Sequence, residues 1–381
     1  MSNQNGVDKE RLLNAVEKSG YEFEFFVQDL FRKEKWAVIN NRYYIDDVKN
    51  IEREIDAVAY KVKEIGNICY YTALIISCKK TKDSDWVFLT QKKTQDINFD
   101  YSPLHMISSD FRLNAIINNE RDTIIEKIKR DEYLQKIHEG DNRVFAYLQV
   151  KGQSCDQDAK PGIYDSIITT IKALEHEKES HRESMRNGKF TFYCFYLISL
   201  YSNKLIEVFF ESPESKTVQE VKELKYVNRH IVNKKEQFYL VHFACKDYLT
   251  DLVKVYNKVS ESNARLYSKM MASFYDEIWS HEYRVRLIGS RFIDDLNGDI
   301  KWLSITEKRL KLPSDLEIKY INYKKTSDLL VMSMQIDPEL EPSTLDILNE
   351  DEKAKEWIGN DLKRHFKYDG AYRIDQDWLP F

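Results

Sequence analysis

Two runs decide the fold: Ile51-Glu52-Arg53-Glu54-Ile55-Asp56-Ala57-Val58-Ala59-Tyr60-Lys61-Val62, and Ile68-Cys69-Tyr70-Tyr71-Thr72-Ala73-Leu74-Ile75-Ile76-Ser77-Cys78-Lys79. β-branched and aromatic residues on either side of Gly66-Asn67 predict a hairpin turning at that pair. The second run is apolar almost to its end, the pattern of a strand buried on both faces in the middle of a sheet. With the turn at Gly66-Asn67, Asp56 falls opposite Ser77 and Glu54 opposite Lys79. Side chains alternate along a strand, so these four share one face and Cys78 points the other way, into the core.

An acid, a hydroxyl and a lysine converging at a sheet rim can do chemistry. Lys79 ends an apolar run and is expected to be partly desolvated. Beside a metal-bound carboxylate, such a lysine can hold and polarise an attacking water. The carboxylate would hold a hard cation such as Mg²⁺, which takes oxygen ligands and keeps several waters. An isolated Asp–Lys pair also reads as a salt bridge capping the sheet, and the residues alone leave both readings open.

Upstream, Val7 to Lys35 has Phe23, Val27, Leu30 and Phe31 at helical spacing, with Glu24 and Gln28 on a neighbouring stripe. Trp36 to Ile39 reads as a short strand. Downstream, Trp86 to Leu89 is apolar, and residues 91 to 143 are polar with no evident core stripe, which reads as an insertion. Val144 to Val150 is a predicted strand and Ile163 to Glu179 a predicted helix. Phe190–Leu200 and Leu205–Phe210 are a predicted hairpin about Ser202-Asn203-Lys204. Phe238 to Ala244 is another strand, and Tyr248 to about Trp279 one long helix. Two domains are therefore expected, 1–265 and 266–381. The second is α+β, with a strand at Leu329–Ile336, a helix near Glu350–Phe366 and an acidic block from Asp337 to Glu352.

The order of these features resembles a known family. A helix carries Gly20-Tyr21-Glu22-Phe23-Glu24; Tyr43-Tyr44-Ile45-Asp46, Arg53-Glu54-Ile55-Asp56 and Leu74-Ile75-Ile76-Ser77-Cys78-Lys79-Lys80 follow. This resembles the PD-(D/E)xK nuclease superfamily over roughly residues 20 to 90, and more loosely over 160 to 260. The resemblance implies an α/β, restriction-endonuclease-like fold: a central mixed sheet flanked by helices, with the C-terminal α+β domain added. It implies Mg²⁺- or Mn²⁺-dependent hydrolysis of phosphodiesters, with DNA the expected substrate and bacterial defence a plausible setting. Asp56 corresponds to the metal-binding aspartate, Lys79 to the catalytic lysine and Glu24 to the first-helix glutamate that completes the metal shell. The backbone carbonyl of Cys78 would be a further ligand. Ser77 departs from the pattern, standing where the family has Glu or Asp. Glu24 or Glu54 could supply the missing carboxylate. The alternative is a degenerate nuclease fold that binds nucleic acid or assembles a complex without cutting.

Around this core, Lys80, Lys82, Lys92 and Lys93 flank Trp86 and Phe88, a basic-aromatic patch suited to a phosphate backbone. Gln149-Val150-Lys151 is a second Q-x-K candidate, although no Asp-bearing hairpin precedes it. His176 and His181 read as solvated on a charged helix. A net charge of −5 excludes a uniformly basic coat protein and leaves room for a local basic cleft. Five scattered cysteines without a CxxC pair argue against a disulfide scaffold or zinc cluster and for a reducing, cytoplasmic setting. The most apolar stretch, Phe190–Tyr201, is far short of the ~20 residues of a membrane helix, and the polar start at Met1–Glu10 lacks the apolar run of a signal peptide. No membrane partner is expected; a protein partner is expected, if anywhere, at the C-terminal domain. Neither GxxxxGK[ST], GxGxxG nor GxSxG occurs, so ATP hydrolysis, dinucleotide binding and serine hydrolysis find no motif.

Overall fold

Residues Ile68–Cys78 are buried without a break, so this strand needs a neighbour on each edge and a cover on each face. The computed structural model of the protein supplies all four. It describes residues 8–46, 51–81, 84–93, 103–140, 142–152, 154–156, 160–232, 234–306, 315–337, 339 and 341–376. The chain divides into two units, Met1–Ser268 and Lys269–Phe381.

In the first unit, α1 (Lys9–Lys18) and α2 (Tyr21–Lys33) precede β1 (Ala37–Asp46), β2 (Ile51–Ile65) and β3 (Ile68–Lys79). There follow β4 (Asp85–Lys92), β5 (His105–Ser108), α3 (Phe111–Asn119), α4 (Arg121–Lys129), α5 (Glu132–His138), β6 (Asn142–Lys151) and β7 (Ser154–Asp156). Then come α6 (Asp165–His181), β8 (Met185–Arg186), β9 (Lys189–Tyr201), β10 (Leu205–Phe210), β11 (Lys216–Val221), β12 (Glu223–Val232), β13 (Lys235–Cys245) and α7 (Leu249–Ala272).

The main sheet has the order β1-β2-β3-β9-β13-β12, with β5 and β8 also on β9. It is mixed: β2–β3 and β12–β13 are antiparallel, while β3–β9 and β9–β13 are parallel. A second sheet runs β11-β10-β4-β6-β7. The unit is thus α/β, with mixed sheets flanked by helices. Ile65 pairs with Ile68, so the hairpin loop is Gly66-Asn67, with Gly66 at φ 58°, where a β-carbon would be strained.

The two faces of the main sheet have different covers. On one, Asn263 of α7 donates to Thr72 Oγ1 and accepts from Tyr196 Oη, both at 3.1 Å. On the other, α6 buries Glu177, which accepts from Tyr60 Oη and pairs with Arg42 Nε and, at 3.2 Å, His181 Nε2. The His181 ring also stacks on Tyr193 at 4.6 Å. The reading of His181 as solvated is therefore corrected: it is half-buried and packed, because α6 lies flat on aromatic strands.

Two further readings change. The predicted β9–β10 hairpin does not form, since β10 crosses to the second sheet and pairs in parallel with β4. Strand β9, buried on both faces, already takes β3 and β13 as neighbours. Within 91–143, β5 joins the main sheet, and Leu113, Ile116, Ile124, Ile128, Leu134 and Ile137 are buried. The core stripe was invisible because helices of 9, 9 and 7 residues have room for about two inward side chains each.

The second unit holds α8 (Glu282–Thr306), β14 (Glu317–Lys325), β15 (Leu329–Asp337), α9 (Pro342–Glu350), α10 (Glu352–Phe366) and β16 (Ala371–Gln376). Its three strands form the sheet β14-β15-β16. No helix among the described residues is long and apolar enough to cross a membrane.

Candidate active site

The ladder between β2 and β3 ends at Ala57–Ile76. One residue further, β2 stays with β1 through Ile55–Arg42, whereas β3 stays with β9 as far as Lys79–Tyr201. Strand β1 bends at Asn41, whose φ of 48° falls between its pairs with Ala57 and Ile55. The sheet forks there, and Asp56 stands in the fork.

The Asp56 carboxylate takes the place of the missing rung. Its Oδ2 accepts the Cys78 N–H at 2.5 Å. The N–H and C=O of one residue leave a strand on the same edge, so the Cys78 carbonyl is also directed toward β2 and the fork. The Lys79 carbonyl faces the opposite edge and accepts from the Ser202 N–H at 3.0 Å. The side chains of Asp56, Ser77 and Lys79 share the face covered by α6.

Glu24 reaches this point from α2. One turn on, the buried Gln28 donates from Nε2 to the Asp56 carbonyl at 3.4 Å, which fixes the helix against β2. Gly20 makes room for the Glu24 side chain: a β-carbon there would come within 3.3 Å of Glu24 Oε1. The Glu24–Gln28 stripe is visible in the sequence, whereas the role of Gln28 emerges only from its bond to Asp56. Its signal was an amide at i+4 from the acid on an inward-facing stripe.

The charges interact. Burial pushes the Asp56 carboxyl up, and Glu54 adds to this; Lys79, the Cys78 N–H and the Ser77 hydroxyl pull it down without cancelling the rise. Glu24 is raised by burial first, then by Asp56 and Glu54, with Lys79 opposing. Glu24, Glu54, Asp56 and Lys79 therefore lie within one electrostatic neighbourhood, Glu54 being the exposed member. Ser77 is 0 % exposed; close enough to help keep Asp56 ionised, its Oγ meets no partner at hydrogen-bonding geometry among the described residues.

The donor set is hard: two carboxylates and a backbone carbonyl. Among the described residues no three His, Cys, Asp or Glu side chains gather into a metal-holding group. Mg²⁺ does not require one, because it is usually held by one or two carboxylates and completes its shell with water and substrate oxygens. Asp56, Glu24 and the Cys78 carbonyl fit that pattern, and a bound cation would offset the burial that raises both carboxyls and the smaller carboxylate repulsion that adds to it.

A prediction follows from the sign of these shifts. A carboxyl raised in the fold above its unfolded value costs stability at neutral pH, and stability returns as pH falls through the raised value. Asp56→Asn, which keeps an acceptor for Cys78, is expected to raise the unfolding temperature of the metal-free chain at pH 7. Mg²⁺ or Mn²⁺ should raise that of the native chain and not that of the variant. Thermal melts check both; a native melt unmoved by either cation counts against the metal site.

The basic-aromatic patch is not brought together. Trp86 and Phe88 are 0 % exposed, and Trp86 stacks on Tyr201 at 4.1 Å. Both belong to the core because alternate residues of β4 face inward. Lys80 Nζ donates to the Glu17 carbonyl at 2.5 Å and lies 3.4 Å from Glu22, which ties it to α1 and α2. Lys92 and Lys93 are exposed at the far end of β4, about 23 Å along an extended strand from Asp85. Lys82 lies outside the described residues. The Q-x-K candidate lies in the second sheet, where Gln149 donates to Ser84 Oγ at 2.7 Å and Lys151 is exposed.

No protein-family model, curated protein or solved structure matches the chain.

Proposed function

We propose that this chain is a metal-dependent nuclease of the PD-(D/E)xK type, hydrolysing phosphodiester bonds of nucleic acid, with DNA the expected substrate and a restriction-endonuclease-like arrangement of the first unit. The observation that carries the reading is the convergence of Asp56, Glu24 and Lys79 at the fork between β2 and β3. A pure salt bridge would need only Asp56 and Lys79. It does not account for a second raised carboxyl delivered by a separate helix.

Asp56 and Glu24, with the Cys78 carbonyl, would hold Mg²⁺ or Mn²⁺. Bound there, the cation would neutralise charge on the scissile phosphate and acidify a water ligand. Lys79 then orients the attacking water and stabilises the charge that builds on the phosphate. The Cys78 N–H aims Asp56, and together with Lys79 and the Ser77 hydroxyl it favours the ionised form. Gln28 holds α2, and hence Glu24, in register with Asp56.

A second reading rests on Ser77, a neutral donor where the resemblance expects an acid. It makes the chain a nucleic-acid-binding or assembly module with a weakened metal site. A cleavage assay on single- and double-stranded DNA and on RNA, with Mg²⁺ and with Mn²⁺, separates the two. Cleavage by the native chain supports the nuclease. Cleavage only by Ser77→Glu identifies Ser77 as the disabling residue, and inertness of both chains on every substrate sinks the enzyme reading.

A further inference from the structure

A separate cavity of about 350 Å³ lies in the first unit between α4, α5, β6 and β12. Five cationic residues line it: Lys93 just after β4, Lys129 at the end of α4, Arg143 on β6, and Lys225 and Arg229 on β12. Among the described lining residues Glu139 is the single carboxylate. Lys225 lies 3.4 Å from Glu223 and Arg229 3.9 Å from Glu236. Lys225 is nevertheless drawn in, with a side chain only 8 % exposed. In a chain of net charge −5, such a concentration of positive charge around one concavity is a local inversion. Like charges facing one cavity repel, and a multiply charged anion relieves that repulsion.

The rest of the lining says what else the anion carries. Ile125, Val144, Leu240 and the Tyr226 ring give the cavity an apolar wall. His138 is also in the lining; burial pushes it down to about 4, so it offers a neutral ring rather than charge at pH 7. A bare phosphate would leave the apolar wall unused. A nucleic-acid backbone would track an open groove instead of filling a cavity whose volume falls in the range of small-molecule sites.

We infer that this cavity is a binding site for a nucleoside phosphate, its phosphates on the cationic rim and its base against the apolar wall of Ile125, Val144 and Leu240. The site is distinct from Asp56 and does not rest on the nuclease reading.

The test is calorimetric titration of ATP, adenosine and inorganic phosphate into the full chain, freed of divalent cations by chelation and dialysis, at about 0.15 M salt. ATP should bind at one site, with adenosine and phosphate each at least about 10-fold weaker. Lys93→Glu with Lys129→Glu, both exposed positions, should weaken ATP by about 10-fold or more and leave the unfolding temperature unchanged; a charge-assisted hydrogen bond contributes ~1.5–3 kcal/mol and ~1.4 kcal/mol is tenfold. Asp56→Asn, which keeps the acceptor for the Cys78 N–H, should keep the affinity for ATP, which separates this result from the fate of the nuclease proposal. The inference is overturned if ATP does not bind at millimolar concentration, if the double variant binds it equally well, or if phosphate binds as tightly as ATP. It is also overturned if short single-stranded DNA displaces ATP at a lower concentration, which would make the cavity part of a nucleic-acid track.

Discussion

Asp56→Ala is expected to lower metal-dependent cleavage by more than about 100-fold, since even residues that only support a metal's ligands are worth about 10–100-fold. Asp56 carries two roles at once: it would hold the cation, and it satisfies the Cys78 N–H at the edge of the fork. Alanine removes both, so a loss of folding could imitate a loss of catalysis. Asp56→Asn separates them, because its side-chain carbonyl still accepts from Cys78 while the charge is gone. The asparagine variant should melt no lower than the native chain and cut as poorly as the alanine variant. Lys79→Ala should cost about 100- to 10,000-fold, the span of general acid–base and water-positioning groups, with cation binding by melt largely retained. Full cleavage by either Asp56 variant would remove this site from the reaction.

The second large effect concerns stability. Glu177 is 1 % exposed and is held by Tyr60, His181 and Arg42, which joins α6 to β1 and β2. Glu177→Ala leaves the Arg42 charge and the Tyr60 hydroxyl without their acceptor and opens a void, and is expected to destabilise the first unit by about 3–5 kcal/mol. Glu177→Gln, which keeps volume and one acceptor, should cost less. The pH dependence has a definite sign. Burial alone would raise the Glu177 carboxyl, but the hydrogen bonds from His181 and Tyr60 and the Arg42 charge outweigh it and hold it below its ordinary value of 4.5. A depressed carboxyl stabilises fully above its unfolded value and loses that contribution as pH falls through the folded one. The gap between native and Glu177→Ala unfolding, measured with urea, should therefore be full at pH 7 and narrow below about pH 4.5. A gap independent of pH would show that Glu177 acts through packing and not charge.

How far the sequence carried depends on the range over which each interaction acts. The β2–β3 hairpin was legible because Gly66-Asn67 is a local turn signal, and one register then follows for every residue out to Ala57 and Ile76, where the ladder ends. The residues after Lys79 are not gathered on one surface because linear proximity does not determine facing. Trp86 and Lys80 are near neighbours in sequence, but one stacks on Tyr201 in the core and the other is bonded to α1 and α2. Gln28 and Glu177 gave little signal, since their partners lie 28 residues away at Asp56 and 117 residues away at Tyr60.

The cationic cavity shows the same limit. Lys129, Arg143, Lys225 and Arg229 come from three separate elements and Lys93 from the chain just after β4, and no window of sequence contains their cluster. By itself the sequence determined the hairpin, its register, the central place of Ile68–Lys79 and the shared face of Asp56, Ser77 and Lys79. These follow from backbone alternation and a two-residue turn, which act over a few residues. Only the tertiary structure decided that the sheet forks at Asp56, that α2 brings Glu24 to that fork, and which lysines face a common space. Those outcomes depend on how strands and helices distant in the chain share a core, and side-chain burial in that core is set by all of its neighbours together.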